Sequence, residues 1–296
     1  MKKIQHKYAM TYAEFIDYRK TSKEKQVQNY SEEGNGKEWY GTDSFHIADN
    51  IANCKTEWTE GKMLLEELRN KHPEMFTPQI EGVSMQFVHD VAGCQVDIGR
   101  YMDGEPECMY EYLFSESDKH GKIVDIYYQF NNSCGITSQD MIAYGIAVLA
   151  LVDNLESRGY SCNIYAVGIT AEGSDNVENV TITIKEAGET LNVEAIMYAF
   201  HTSFFRRHWF AFHERKQYCT GAYGSPCKPS DYANEDVMMY YNDNPTKSFY
   251  IPSVNMLGTG KDTLQYFELI KHKVDAQMES IDNGCLVLPS DAFVWK

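Results

Sequence analysis

The stretch Asn131–Met141, NNSCGITSQDM, sets two carboxamides, a hydroxyl, a thiol and a glycine directly after an apolar run, Ile123–Phe130. In open α/β sheets, ligands gather beyond the carboxyl ends of the strands. Asn131, Asn132 and Ser133 fall at such an end, and the N-terminus of the helix predicted to follow adds partial positive charge. A hard divalent cation such as Mg²⁺ or Mn²⁺ wants anionic oxygen. Amides and hydroxyls bring none. The three residues therefore read better as a turn, or as what is left of a site, than as a working metal centre.

The densest polar motif is DIGRYMDGEPECM, residues 97–109. As a recognition loop it would use Arg100 to bind a carboxylate or other anion, with Asp103 and Glu105 facing a partner. As a plain turn it would use Gly104 for positive φ and pair Arg100 with Asp103 or Glu105. His201, His208, His213, Cys219 and Cys227 invite a zinc reading, but zinc ligands come at short, patterned spacings. His208 and His213 are five apart and diverge on one helix, so aromatic-lined helix histidines are the simpler reading. Cys134 opens a helix, where a thiolate would be favoured, yet no His base adjoins it in sequence. The phosphate-cradling and nucleophile-elbow glycine motifs are absent.

The elements that must hold these residues follow from periodicity. Ile123–Phe130 is rich in β-branched and aromatic residues and reads as a buried strand. Residues 137–159 follow as a helix with apolar residues nearly all round, which must be covered on more than one side. Thr137 or Ser138 caps its start and Gly159 its end. Residues 160–170 and 177–185 read as two strands joined by a hairpin loop. Residues 189–215 read as helix, broken near Thr202. A strand over 247–255, a helix over 261–279 and a final run at 285–290 complete the set. The order strand–helix–strand–strand–helix–strand–helix predicts an α/β, Rossmann-like sheet covered by helices on both faces. That core spans residues 121–296. Residues 1–120 form an α-rich region with short strands, packed on the core or extending it. The longest irregular stretch, residues 218–236, is the length at which loops are often functional.

Acidic residues outnumber basic ones 43 to 27 in 296 residues, a formal charge of −16. Such a surface repels phosphate backbones and anionic lipid, so neither nucleic acid nor membrane is expected as a partner. The one basic run, FFRRHWFAFHERK, alternates with bulky aromatics and reads as core helix. No segment reaches the length of a membrane span. The opening residues lack an apolar signal core, so a cytoplasmic protein with reduced thiols is expected.

Two resemblances add to this. Asn131, Ser133 and Gly135 stand where the von Willebrand A domain has the Asp-x-Ser-x-Ser of its metal-ion-dependent adhesion site. Only Ser133 keeps the residue type. That family also draws a Thr from a later loop, where Thr190 stands, and an Asp after a later strand, where this chain has Ser253 and Asn255. The implied domain is von Willebrand A-like with a degenerate metal site. The segments KEWYGTDSFHIADNI, CQVDIGRYMDGEPECM and IVDIYYQF resemble an uncharacterised family of tailed-bacteriophage proteins. That resemblance implies a phage-encoded protein in the cytoplasm of an infected bacterial host, with no activity to carry over. Together they suggest a non-enzymatic module that binds a phage or host protein, with an AAA-type ring ATPase as one candidate. The alternatives are an enzyme or binder of a small ligand or nucleotide at the strand ends, and a virion component.

Overall fold

The computed structural model describes residues 6–32, 36–55, 58–71, 73, 85–91, 95–96, 98–114, 122–172, 176–189, 193–216 and 248–282. In chain order the elements begin with β1 (His6–Thr11), α1 (Tyr12–Thr21), α2 (Gly36–Tyr40), α3 (Phe45–Ala52) and α4 (Thr59–Lys71). Next come β2 (Met85–Asp90), β3 (Gln95–Val96), α5 (Ile98–Met102), β4 (Met109–Phe114) and β5 (Lys122–Gln129). After them stand α6 (Ser138–Ser157), β6 (Tyr160–Glu172), β7 (Asn176–Lys185) and α7 (Val193–Ala199). A π-helical turn, Phe204–Trp209, runs into α8 (Phe210–His213). β8 (Ser248–Ile251), α9 (Val254–Leu257) and α10 (Thr263–Asp282) follow.

The chain is α/β. Five strands form a mixed sheet in the order β1-β7-β6-β5-β8. β5 lies between β6 and β8 and is parallel to both. β7 returns antiparallel to β6, and β1 joins parallel to β7 at the edge. A separate antiparallel sheet, β2-β4-β3, carries the 97–109 loop.

Alternation along β5 sends Val124, Ile126, Tyr128 and Phe130 into the main apolar core, where side chains of every long helix meet them. The helix α6 lies at the centre of this layer. Fourteen of its residues are buried, because it packs against β6, α4 and α10 at once. Thr137 caps it: its Oγ1 accepts from Asp140 N and donates to Asp140 Oδ2 at 2.6 Å. Gly159 ends it at φ 85°. The other face of β5 carries Asp125, Tyr127 and Gln129. Helices on both faces were expected; those described gather on the Val124–Phe130 face.

Two of the elements that sequence periodicity missed belong to the core sheet and its cover. The first is β1, because HKYAMT alternates over only six residues at a charged start. It pairs with β7 from His6↔Glu178 to Thr11↔Thr183, so the N-terminal region contributes a strand to the core sheet. The second is the π turn. The break near Thr202 is real, but beyond it the chain widens rather than continuing as α-helix, the kind of bulge often found where side chains have particular work. Phe204–Lys216 are all buried, which agrees with a core reading of the RRHW segment. The 218–236 loop and the 285–290 run lie outside the described residues.

Burial of this segment predicts acid lability. Burial, with the charges of His208 and Arg207 adding to it, draws His201 down to about 3, and burial also lowers His208 against the pull of Asp49. The unfolded chain takes up these protons near pH 6.5, whereas the folded chain resists them. Stability is therefore full above pH 6.5 and lost as pH falls toward 3, at about 1.4 kcal/mol per pH unit for each proton. Glu214, raised by burial, opposes this over part of the range. His213, drawn down to about 3 by burial, adds to the trend, and urea unfolding between pH 7 and pH 5 should show a net loss of about 2–4 kcal/mol. His201→Gln, which cannot titrate, should flatten the slope.

Candidate functional site at the ends of β5 and β8

Asn131 is fully buried, and its carboxamide is spent within the sheet. Its Nδ2 donates to the Ile169 carbonyl at 2.8 Å, and its Oδ1 accepts from Ile169 N at 3.3 Å and Gln129 Nε2 at 3.0 Å. The side chain thus extends the β5–β6 ladder by one rung after the strand backbone has turned away. Gln129 is held in turn by Tyr250, whose hydroxyl donates to Gln129 Oε1 at 2.7 Å. Asn132, also buried, donates to the Phe130 carbonyl at 2.8 Å. Its Oδ1 has no partner among the described residues, and the residue lines a small cavity of about 20 Å³. That is room for one water molecule.

Because β5 and β8 are neighbours, their ends bring Ser133 and Asn255 together across 122 residues. Ser133 N donates to Asn255 Oδ1 and Asn255 Nδ2 donates to Ser133 Oγ, each at 2.9 Å. Ser253 is buried beside them, its hydroxyl without a partner among the described residues. Asn131, Asn132, Ser133 and Asn255 therefore stand together at the strand ends in separate hydrogen-bond sets: Asn131 with Ile169 and Gln129, Asn132 with Phe130, and Ser133 with Asn255. Thr190 lies outside the described residues. Among the described residues no group of three His, Cys, Asp or Glu could hold a metal ion.

The 97–109 loop takes the turn geometry. Gly104 sits at φ 73°, Arg100 Nε meets Glu105 Oε2 at 3.1 Å, and Arg100 Nη1 donates to the Glu107 carbonyl at 3.2 Å. Asp103 is exposed and donates from its backbone to Gly99. Two of the loop's apolar residues face solvent, Tyr101 at 67% and Met102 at 79% exposed, as do Val96 of β3 and Val91 just after β2.

The helix histidines are separately engaged. His201 Nδ1 accepts from Ser203 N at 2.9 Å. His208 bridges the Tyr198 hydroxyl at 2.8 Å and Asp49 Oδ1 at 3.1 Å, and Lys20 reaches the other Asp49 oxygen at 3.2 Å. His213 Nδ1 lies 3.1 Å from Glu178 Oε2. Cys219 and Cys227 lie outside the described residues.

Sequence reasoning also missed two buried arginines of the π turn. Arg207 donates to Thr42 Oγ1 (2.8 Å), the Thr42 carbonyl (2.7 Å) and the Ser31 carbonyl (3.0 Å), tying the N-terminal loops to the core. Arg206 donates to the Trp39 carbonyl at 2.6 Å and to the Ile136 carbonyl, and stacks on the Trp39 ring at 4.2 Å. Only their odd placement among aromatics could have flagged them.

The model of a domain of unknown function, DUF7192, matches residues 2–274. No curated protein and no solved structure matches the chain. Among the described residues no helix is long and apolar enough to cross a membrane.

Proposed function

This chain belongs to the DUF7192 family, and we propose that it works as a non-enzymatic module that binds a protein partner. The observation that carries this is the exposure of Tyr101 and Met102 beside Arg100 on the short helix α5, between two strands of the small sheet. Aromatic residues, Met and Arg are the types enriched where proteins meet, and a few such anchors supply most of the binding energy.

The β5–β8 strand end supports the same reading by being occupied with itself. In a von Willebrand A-like frame, the adhesion-site positions Asn131 and Ser133 hydrogen-bond to Ile169 and Asn255. A degenerate site of this kind leaves recognition to another surface. The resemblance to a tailed-bacteriophage family supports a phage or host partner met in the cytoplasm of an infected bacterium, with a ring ATPase as a candidate class.

The test is affinity capture from infected-cell lysate with the wild-type chain and a Tyr101→Ala, Met102→Ala variant. Both side chains are exposed, so stability should change by less than about 0.5 kcal/mol. Losing two anchors should weaken capture of a specific partner by at least about tenfold, the equivalent of roughly 1.4 kcal/mol. Equal recovery by both proteins would refute this surface.

A further inference from the structure

We infer that the groove at the N-terminus of α6 binds the oxyanion head group, phosphate or carboxylate, of a small molecule. The groove has a volume of about 910 Å³ and runs between α2 and the turn that follows β5. Lys37 and Trp39 form one wall and Cys134, Gly135 and Ser138 the other, with Arg206 between them. It is separate from the Tyr101–Met102 face.

Arg206 carries the inference. It is fully buried, yet among the described residues no carboxylate pairs with it, and its Nε has no hydrogen-bond partner. Its two other nitrogens reach only neutral acceptors: the carbonyls of Trp39 and Ile136, and Ser138 Oγ at 3.5 Å. Those three residues themselves line the groove. A buried cation with no counter-ion is costly, and an anion placed in the groove offsets that cost. Burial draws the guanidinium down to about 10 against the weaker pull of Cys134 and Tyr40.

The helix gives the second half of the site. It is 20 residues long, so its dipole is well developed at the first turn. Thr137 caps only the amide of Asp140, which leaves the amides of Ser138 and Gln139 to an incoming acceptor. A Cβ added at Gly135 would meet nothing within 4 Å, so the turn leaves space for the head group. Glu38 and Glu60 on the groove wall disfavour a polyanion and limit the ligand to one head group.

Cys134 is exposed on the wall and reports occupancy. Alkylation by iodoacetamide, followed site by site by mass spectrometry at constant ionic strength, should slow at Cys134 when inorganic phosphate or acetate replaces chloride. At twice the Kd the rate should fall about threefold, since free sites scale as 1/(1 + [L]/Kd). The stronger of the two anions identifies the head group. Cys54 and Cys108, half-buried elsewhere, should react unchanged. Gly135→Glu, which tethers a carboxylate in the groove, should abolish the protection. Unchanged Cys134 kinetics in both anions would overturn the site, as would equal slowing at Cys54 and Cys108 or undiminished protection in Gly135→Glu.

Discussion

Asn131→Asp should destabilise the protein by roughly 3–5 kcal/mol at neutral pH, the range for an uncompensated buried charge. The position is fully buried. The carboxylate could no longer donate to the Ile169 carbonyl, now 2.8 Å away, and would face that oxygen instead. It would keep the donors from Gln129 and from Ile169 N, which are not enough to replace water around a charge. Protonation relieves the charge, so the defect should shrink as pH falls toward the carboxylate range, opposite to the acid trend of the parent. Asn131→Ala leaves the Ile169 carbonyl, the Ile169 amide and Gln129 Nε2 without this partner and should cost a comparable amount, roughly 1–3 kcal/mol for each group left unpaired. Urea midpoints with unchanged slopes would measure both. Added Mg²⁺ should not rescue the aspartate variant, because Ser133 and Asn255 remain bonded to each other.

Trp209→Ala should cost about 3–5 kcal/mol, the usual range for deleting a large buried aromatic. The indole is fully buried in the π turn and lies over Gly168 of β6, where a Cβ would run into the ring. It meets Phe130 edge-on, with ring centroids 5.0 Å apart, and His213 at 4.1 Å. The contact with Phe130 joins the π turn to the last core residue before the Asn pair, so this packing also positions the strand end. Gly168→Ala should be destabilising from the opposite direction, by overpacking, at about 1–3 kcal/mol. If the tryptophan variant kept its urea midpoint within about 0.5 kcal/mol of the parent, the π turn would not be part of the core.

The strand end was legible because its signals are local. The apolar run to Phe130, the Asn turn, the Thr137 cap and Gly159 all lie within one strand–turn–helix unit, and each has a short-range physical cause. What those residues do was hidden because their partners are distant. Asn131 is completed by Ile169, 38 residues on, and Ser133 by Asn255, 122 residues on. Sequence spacing placed Asn255 after a later strand but could not show that β8 lies beside β5. The turn around Gly104 was read from glycine chemistry, whereas Tyr101 and Met102 lie on a short helix, α5, that no periodicity marked. The groove was invisible for a related reason. Arg206 resembles any arginine of a core helix until its missing acid is seen.

The closed strand end is tested most directly by titrating Mn²⁺ into the isotopically labelled protein and following paramagnetic broadening of the backbone amides. A strand end in which Asn131 is bonded to Ile169 and Gln129, and Ser133 to Asn255, predicts that the amides of residues 131–135 and 253–255 broaden no more than those of other exposed acidic segments. Selective, saturable broadening centred on Ser133 and Asn255 would show an open cation site there and contradict it.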